Sequence, residues 1–364
     1  MTATTTPIRT GDRYTTAIAA DFASLDLFAS PYGASLGELW STLVIAEYQA
    51  GDVLMRQGDR GTSFLIVLDG AVTVSRSDGS DTHTLGTAGG GSMLGELALL
   101  TRRPRHATVT AASPVRAAVG DEGAFELLVG IPGVHERLTC VAAPRFATVA
   151  EGVPVKLPDG GGRFLVRPVL ATDRDELATA FARQSQEFIQ RRFFTSARPS
   201  GQMIDYLVNI DYVDHFAWRV SSDEGGRTVA EGRYIRRRDD HEVADIAFDV
   251  FDDYHGRGLG TLLLGAVGAA ASNAGIVHLV AEVLYENRPM RAVLSKAHAT
   301  WKHQEPGVVS GDVDVSVAAG LIQDPLRSEL ARTAQPVVTS GGLAVHERRV
   351  GCQNPARPRT VRAC

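Results

Sequence analysis

The chain has 364 residues, of which 44% are hydrophobic and 22% are charged. This length favours two domains, and the composition is typical of a soluble globular protein that buries a substantial core. A formal net charge of −5 offers no basic surface of the kind that nucleic-acid binding needs, which argues against a DNA regulator. The three cysteines are widely spaced, so we expect reduced thiols in the cytoplasm rather than disulfides or a zinc site.

The N-terminal residues 1–18 are predicted to be a disordered lead-in. Met1 to Gly11 is rich in Thr and lacks the basic start and apolar core of a signal peptide. Leu25 to Ala46 is predicted to be a helix-turn-helix segment that leads into strands. A first domain is therefore expected over residues 19–147.

From Val44 onward, short β-rich runs alternate with turns that contain glycine. Turn signals about every ten residues between short strands are typical of a compact antiparallel roll. The turns are Gly51-Asp52, Gly58-Asp59, Asp69-Gly70 and Asp78-Gly79. Inside this β domain, Gly95-Glu96-Leu97-Ala98 is followed by Arg105 and His106.

These two segments resemble the phosphate-binding cassette of cyclic-nucleotide-binding domains, and the resemblance covers roughly residues 20 to 140. The chemistry is coherent, because Glu96 offers carboxylate oxygens to a ribose hydroxyl and Arg105 offers a guanidinium fork to a phosphodiester. An ordinary surface pair of Glu and Arg on a β-roll is the alternative. The resemblance implies nucleotide contacts from Gly95, Glu96, Leu97, Ala98, Arg105 and His106.

His106 bears on which nucleotide binds. A hydroxyl at this position can favour guanine in cyclic-GMP binders, and no hydroxyl is offered here, so cyclic AMP is the expected ligand. A bulky imidazole could instead crowd the phosphate or mark a degenerate site. The apolar helical pattern from Gly123 to Ala150 is predicted to close the pocket.

A linker is predicted over residues 148–162, which contain prolines and three consecutive glycines. The second domain is expected over residues 163–320, with a strand at Phe164–Val169 and a helix at Ala171–Arg192. The later group of Asp211, Asp214 and His215 could bind a divalent metal. Polar surface at the start of a strand is the preferred interpretation, and no metal is expected.

An apolar strand, a turn and a glycine-rich loop occupy Ile246 to Gly260, before a helical run to Ala271. Three alternating glycines leave backbone N–H groups unshielded at a helix N-terminus, which suits a pyrophosphate. A plain glycine-rich turn is the alternative. Gly258 to Ala281 carries no Asp, Glu, Lys or Arg and is long enough to span a bilayer, but polar residues and Gly275 interrupt it, so we expect a buried helix and strand.

This loop resembles the acetyl-CoA loop of GNAT acetyltransferases, Gln/Arg-x-x-Gly-x-Gly/Ala, with His255 where Gln or Arg is usual. Asn287 matches the family's Asn, which contacts the cofactor near its thiol end, and Lys296 could meet the 3′-phosphate. The tyrosine that often protonates the departing thiolate is absent, Ser295 being nearest, so the acid is unassigned. The implied cofactor-binding residues are Ala247, Phe248, Asp249, His255, Gly256, Arg257, Gly258, Leu259, Gly260, Asn287 and Lys296.

Amine acetylation needs a base, because an ammonium group must lose its proton before it attacks a thioester. Val243–Phe248 resembles Ala-Glu-Ile-Ala-Phe in GNAT enzymes fused to a cyclic-nucleotide domain, whose glutamate is the general base. That position holds Asp245, whose carboxylate is retracted by about 1.5 Å relative to glutamate. Asp249, on the same strand face, is the second candidate. Alternatively, both carboxylates are solvated polar groups at the edge of the strand and have no catalytic role.

The expected fold class is a two-domain α+β protein, in which an antiparallel β-roll with flanking helices precedes a mixed α/β GNAT domain. Residues 321–364 are predicted to form a helix over Asp324–Val338 and then a disordered tail. The resemblance implies a cyclic-AMP-regulated protein lysine acetyltransferase that uses acetyl-CoA and acts on acyl-CoA synthetases, without nucleic-acid or membrane partners. The alternatives are a non-catalytic sensor of cyclic AMP and acetyl-CoA, and a GNAT enzyme acting on a small amine.

Overall fold

The computed structural model describes residues 4–7, 33–79, 81–131, 134–158, 162–223 and 226–334. The chain divides into two compact units between Ala142 and Ala143, inside the helix Val134–Val149. Within the described ranges, no helix is both long and apolar enough to cross a membrane. The uncharged stretch at Gly258–Ala281 is a largely buried helix of 15 residues followed by a strand, as predicted.

The first unit is built from two antiparallel sheets. Its strands are β1 (Thr4–Pro7), β2 (Val44–Tyr48), β3 (Val53–Met55), β4 (Ser63–Asp69), β5 (Ala71–Asp78), β6 (Asp81–Gly89), β7 (Met93–Leu94), β8 (Thr108–Ala111) and β9 (Val115–Asp121). Its helices are α1 (Gly33–Thr42), α2 (Glu96–Thr101), α3 (Glu122–Gly130) and α4 (Val134–Val149), the last crossing the division. One sheet has the order β1-β2-β9-β4-β7 and the other β3-β8-β5-β6. This architecture is the predicted antiparallel roll with flanking helices.

Strand β4 separates the two cores of this unit. Successive side chains of a strand point to opposite faces. Phe64 and Ile66 therefore pack with the helices, where Phe64 meets Phe125 edge to face at 5.7 Å. Leu65 and Val67 pack into the interior of the roll. All four β4 residues are at most 1% exposed, which explains why this run is continuously apolar.

The predicted disordered lead-in is wrong for Thr4–Pro7, which pairs antiparallel with Val44–Glu47 as strand β1. Threonine is β-branched and suits a strand. The rest of residues 1–18 lies outside the described part of the chain. Of the helix-turn-helix segment predicted at Leu25–Ala46, the structure describes one helix, α1, which ends at Thr42, and residues 25–32 are not among those described.

The second unit is an eight-stranded sheet with helices on both faces. Its strands are β10 (Val153–Leu157), β11 (Gly162–Pro168), β12 (His215–Ser222), β13 (Thr228–Arg236), β14 (Val243–Val250), β15 (His278–Leu284), β16 (Thr300–Glu305) and β17 (Val308–Asp314). Its helices are α5 (Arg174–Ala182), α6 (Gln186–Phe193), α7 (Gly201–Val208), α8 (Leu259–Asn273), α9 (Arg288–Lys296), α10 (Val315–Ala319) and α11 (Leu326–Ala334). The order is β10-β11-β12-β13-β14-β15-β17-β16, and the β14–β15 pair is parallel whereas the others are antiparallel.

The predicted linker at residues 148–162 is wrong in part. α4 continues to Val149, and β10 pairs along its length with β11 as the edge strand of the large sheet. Val153, Val155 and Leu157 point into the core. The second unit therefore begins well before residue 163, while residues 159–161 lie outside the described ranges.

The helix predicted over Ala171–Arg192 is two helices. Ser185 lies between α5 and α6 and is the N-cap residue of α6, because its hydroxyl accepts the N–H of Phe188 at 3.1 Å.

At the other end of this unit, the predicted C-terminal helix is present as α11. Its Leu330 is fully buried in the main core, so the unit does not end at residue 320. The predicted disordered stretch at Thr339–Cys364 lies outside the described residues.

The two faces of the large sheet differ in chemistry. Residues directly opposite on antiparallel strands share a face. Trp218, Gly232 and Phe248 share the face on which α8 packs, and the Trp218 indole donates to the carbonyl of Ala266 at 2.9 Å. The opposite face carries a row of charged side chains, in which Glu231 and Asp249 are buried and Arg219 is half-buried.

His215 does not form the polar surface that the sequence suggested, because it is fully buried with its Nε2 2.8 Å from Arg233 Nη1. Asp211 shapes the preceding turn, and its Oδ1 accepts the N–H groups of Val213, Asp214 and His215. Among the described side chains, no cluster of three or more His, Cys, Asp or Glu is placed to hold a metal ion.

Candidate active site and nucleotide site

The central feature of the second unit is the place where β14 and β15 separate. Their parallel ladder covers Val243, Ala244 and Asp245 and ends there, whereas β14 stays paired with β13 as far as Val250. One edge of β14 from Ile246 to Val250 therefore turns its backbone groups toward the gap. Such an edge can accept an extended ligand as if it were another strand.

The glycine-rich loop after β14 ends in the N-terminus of α8. Gly258 is the N-cap residue of α8, with a φ of 90° and no side-chain cap, so the first N–H groups of the helix have no side-chain acceptor there. Gly260 has a different role, since a Cβ at this position would lie 3.2 Å from the Val293 side chain of α9, which is a tight contact. Two requirements therefore explain the glycine pattern: a left-handed turn and close packing of helices.

A cavity of about 570 Å³ lies beside this loop, within the range typical of small-molecule sites. It is bounded by α6, the end of β14, the loop, the start of α8 and α9. The lining residues are Phe188, Arg191, Arg192, Phe248, Asp249, Val250, Asp252, Tyr254, His255, Gly256, Gly258, Leu259, Gly260, Thr261, Asn287, Pro289, Met290, Val293 and Lys296.

Most of the cofactor-binding residues predicted from sequence line this cavity. They are Phe248, Asp249, His255, Gly256, Gly258, Leu259, Gly260, Asn287 and Lys296. Ala247 and Arg257 do not line it. The guanidinium of Arg257 lies over the Tyr254 ring at 4.8 Å and donates to the Asp253 carbonyl at 3.1 Å.

Three of the lining side chains have defined partners. Asn287 caps α9, where its Oδ1 accepts the N–H of Met290 at 3.2 Å. The Lys296 ammonium donates to the Thr261 hydroxyl at 3.0 Å, which places a cation at the start of α8. His255 Nε2 lies 2.7 Å from the Val250 carbonyl, to which it donates. The cavity thus has an electropositive end at the loop.

Sequence reasoning missed the α6 side of the cavity, which contributes Phe188, Arg191 and Arg192. The Arg192 Nε donates to Asp249 Oδ2, and both side chains are buried. Burial raises the pKa of the Asp249 carboxyl to about 6, the charge of Glu231 adds to the rise, and Arg192 opposes it.

Asp245 lies at the narrow end of the gap rather than in the cavity lining. Its carboxylate Oδ1 accepts two hydrogen bonds from Arg237, at 2.9 Å from Nε and 2.7 Å from Nη2. The side chain is 16% exposed. Asp249 lies four residues, or about 13 Å, farther along the same face of β14. The two candidate bases therefore have different environments.

In the first unit, Arg105 and Gly95 form the centre of the predicted nucleotide site. Arg105 donates from Nη1 to the Gly95 carbonyl at 2.8 Å, and from Nη2 to the Ser63 carbonyl at 2.6 Å and hydroxyl at 3.1 Å. Burial lowers the pKa of Arg105, and the negative charges of Glu96 and Asp59 oppose that shift. These contacts use three of the five N–H groups of the guanidinium and fix its plane.

The remaining residues predicted to contact the nucleotide lie on α2 or next to Arg105 in the sequence. Glu96 begins α2 and is 1% exposed, Ala98 is buried on the same helix, and Leu97 is half-buried. His106 is half-buried beside Arg105, and its Nδ1 has no hydrogen-bond partner among the described residues. Burial and the charges of Arg103 and Arg76 lower the pKa of His106, so its ring is neutral at pH 7.

Two segments of the chain, one in each unit, match the models of known protein families. Residues 45–130 match the family model of the cyclic nucleotide-binding domain, and residues 163–300 match that of the acetyltransferase (GNAT) domain. The chain is 35% identical to Acetyltransferase Pat of Mycolicibacterium smegmatis over 297 residues, which cover 82% of this chain and 89% of that protein.

Two solved structures are also similar. The cAMP-binding acyltransferase from Mycobacterium smegmatis is 32% identical, with 90% of this chain and 99% of that chain covered and a TM-score of 0.43. The GNAT domain of S. lividans PAT is 32% identical, with 45% of this chain and 96% of that chain covered and a TM-score of 0.42. From its identity to the mycobacterial relative and its two domain matches, the chain belongs to the Pat family of acetyltransferases, in which a cyclic nucleotide-binding domain is joined to a GNAT domain.

Proposed function

We propose that this acetyltransferase moves the acetyl group of acetyl-CoA to the ε-amine of a protein lysine, with acyl-CoA synthetases as substrates, under the control of cyclic AMP. The observation that carries the proposal is the cavity, which joins the glycine loop to the free edge of β14, the strand that holds both candidate carboxylates. The identity to Acetyltransferase Pat supports acetyl transfer, and the family match of residues 45–130 supports a cyclic nucleotide as the regulator.

The loop fits the phosphates of acetyl-CoA. A Cβ at Gly256 or Gly258 would meet no atom within 4 Å, so the space above these N–H groups is open to a ligand. The N-terminus of α8 and the Lys296 ammonium both favour negative charge at this end. The pyrophosphate binds at the loop, and the pantetheine arm extends along β14 away from it.

This orientation directs the thioester toward Asp245. The phosphates occupy the loop end of β14, so an arm laid on its free edge points to the end where β14 and β15 meet. Asp245 takes a proton from the lysine ammonium, and the resulting amine attacks the thioester carbonyl. The nitrogen–carbon bond forms and the carbon–sulfur bond breaks. The attacking nitrogen gives up its second proton, which neutralises the departing thiolate, so that coenzyme A leaves as its thiol.

In the first unit, the fixed guanidinium of Arg105 binds the cyclic phosphate and Glu96 binds the ribose hydroxyl. Charge-assisted hydrogen bonds of this kind are stronger than neutral ones. The neutral ring of His106 offers no hydroxyl to a guanine amino group, which favours cyclic AMP over cyclic GMP.

One assay tests the proposal as a whole: acetylation of an acyl-CoA synthetase by the full chain, with and without cyclic AMP. We expect cyclic AMP to raise the rate by about 5- to 150-fold, the size of ordinary coupling between sites. Arg105→Gln should retain the basal rate and lose the stimulation. Acetyl-CoA binding without turnover on any lysine substrate would favour the sensor, and turnover that ignores cyclic AMP would reject the regulation.

Replacing Gly95 should damage nucleotide binding specifically. Gly95 has a φ of 87°, and a Cβ there would lie 2.5 Å from Arg105 Nη1 and 2.7 Å from Met55 Cε. Gly95→Ala should therefore displace the guanidinium and weaken cyclic AMP binding by at least tenfold in calorimetry. Gly79→Ala is the matched control, because Gly79 also has a positive φ, of 71°, but nothing lies within 4 Å of its Cβ. Equal losses in both variants would contradict the site.

A further inference from the structure

A row of four buried charges runs from the cofactor cavity into the sheet, and the proposed acetyl transfer does not use it. Glu231 and Asp249 stand directly opposite each other on β13 and β14, and are 1% and 7% exposed. Like charges at such opposed positions repel each other. Arg192 from α6 pairs with Asp249 on one side, and Arg233 pairs with Glu231 on the other.

The two carboxylates are not equally satisfied. Glu231 Oε1 accepts from Nε of Arg233 at 2.7 Å and also from its Nη2. Glu231 Oε2 is buried and has no hydrogen-bond partner among the described residues. A buried carboxylate oxygen without a donor is costly. Burial and the negative charge of Glu231 both raise the pKa of the Asp249 carboxyl, so Asp249 takes up a proton more readily than an isolated carboxylate.

The Arg192–Asp249 contact has a clear structural consequence, because it holds α6 to β14. Arg192 lies in the last turn of α6, and the start of the same helix is held by Asp252, whose Oδ2 accepts the N–H of Ser185 at 2.8 Å. α6 supplies one wall of the cavity through Phe188, Arg191 and Arg192. The helix is therefore fixed at both ends along the path of the pantetheine arm.

We propose that Arg192 and Asp249 are positioning residues that hold the α6 wall in the shape that binds acetyl-CoA, and that Glu231 sets the pH at which this contact is lost. The inference rests on the acetyl-CoA binding of the proposed function but not on its lysine substrate.

The direction of the pH effect follows from the charges. The charged groups that act on Asp249 are Arg192 from α6 and Glu231 and Arg233 from β13. The other titratable residues that line the same cavity are Arg191, Asp252, Tyr254, His255 and Lys296. When the pH falls through the Asp249 pKa of about 6, this carboxylate becomes neutral and its ion pair with Arg192 is lost. The wall loosens and the affinity for acetyl-CoA falls, by at most about tenfold per pH unit for a single proton.

The test is calorimetry of the full chain with acetyl-CoA at pH 7.5, 6.5 and 5.5. Dephospho-acetyl-CoA is titrated in parallel, because it lacks the 3′-phosphate that titrates near the same pH. The wild type should lose affinity for both ligands below pH 6.5. Asp249→Asn should bind weakly and lack this component of the pH dependence, while Glu305→Gln on the exposed edge strand should behave as the wild type.

Glu231→Gln is the informative variant, because a purely structural role would not predict its effect. Removing the opposing negative charge lowers the Asp249 pKa, so the loss of affinity should move to lower pH and the variant should bind more tightly than the wild type at pH 5.5. A second measurement tests the inference even if Glu231→Gln folds poorly, because it does not use this variant. Binding to the wild type at pH 6 in two buffers of different ionisation enthalpy should release more protons than binding to Asp249→Asn.

The outcomes separate this inference from the proposed function. Parallel pH curves for the wild type, Asp249→Asn and Glu231→Gln, or equal proton release, would overturn the inference. Failure of the wild type to bind acetyl-CoA at any pH would instead remove the proposed function. If acetyl-CoA binds with the expected pH dependence but no lysine is acetylated, the inference stands and the protein lysine is rejected as the substrate.

Discussion

Asp245→Asn should lower kcat for lysine acetylation by about 10² or more, the usual contribution of a general base. The amide keeps the size of the side chain and can still meet Arg237, but it cannot accept the proton of the lysine ammonium. The acetyl-CoA affinity should change little, since Asp245 does not line the cofactor cavity. The measurement is steady-state kinetics against an acyl-CoA synthetase, with calorimetry for acetyl-CoA.

Two variants on the same strand make this result specific. Asp245→Glu restores the glutamate of the family pattern and should hold or raise kcat. Asp249→Asn should act mainly on KM for acetyl-CoA, because Asp249 lies on the cavity wall. If Asp249→Asn lowers kcat by 10² while Asp245→Asn does not, the base is Asp249.

The loop and its surroundings could be predicted from sequence because their signals are local. The strand, the alternating glycines and the following helix lie within one continuous stretch from Ile246 to Ala271, and the structure arranges them as predicted. The spacing between Glu96 and Arg105 is local in the same sense. These local patterns resemble known family motifs, and that resemblance predicted the cofactor loop and the phosphate-binding cassette.

The α6 wall of the cavity could not be predicted from local sequence patterns. Arg192 and Asp249 are 57 residues apart, and their contact depends on how α6 packs on the sheet. Nothing in the sequence near Arg192 distinguishes it from Arg191 beside it. The same holds for Glu231, whose importance follows from the β13–β14 register.

Two of the wrong predictions had local signals that favoured the observed structure. Val153, Val155 and Leu157 alternate as in a strand, but Pro154 and the nearby glycines favoured a linker. Proline is compatible with an edge strand, where its missing N–H costs no ladder bond, and β10 is an edge strand. Ser185 is a good N-cap residue inside the predicted helix, and it does divide that helix.

Gly258→Asp should weaken acetyl-CoA binding by about 10² or more. The residue has a φ of 90°, in the left-handed region, and its N–H belongs to the loop at which we propose that the pyrophosphate binds. No atom lies within 4 Å of a Cβ at this position, so the new side chain finds space but places a carboxylate against the phosphates. Calorimetry with acetyl-CoA at pH 7.5 measures the loss, which is several kcal/mol for an unpaired charge facing another of the same sign.

The matched control is Gly275→Asp. Gly275 also has a left-handed φ, of 73°, with no atom within 4 Å of its Cβ, but it lies outside the cavity between α8 and β15. Both substitutions carry the same backbone cost of about 1–2 kcal/mol, so both should lower the thermal stability by similar amounts. Only Gly258→Asp should lose acetyl-CoA. If Gly275→Asp loses it equally, the effect is one of folding, and the pyrophosphate does not bind at this loop.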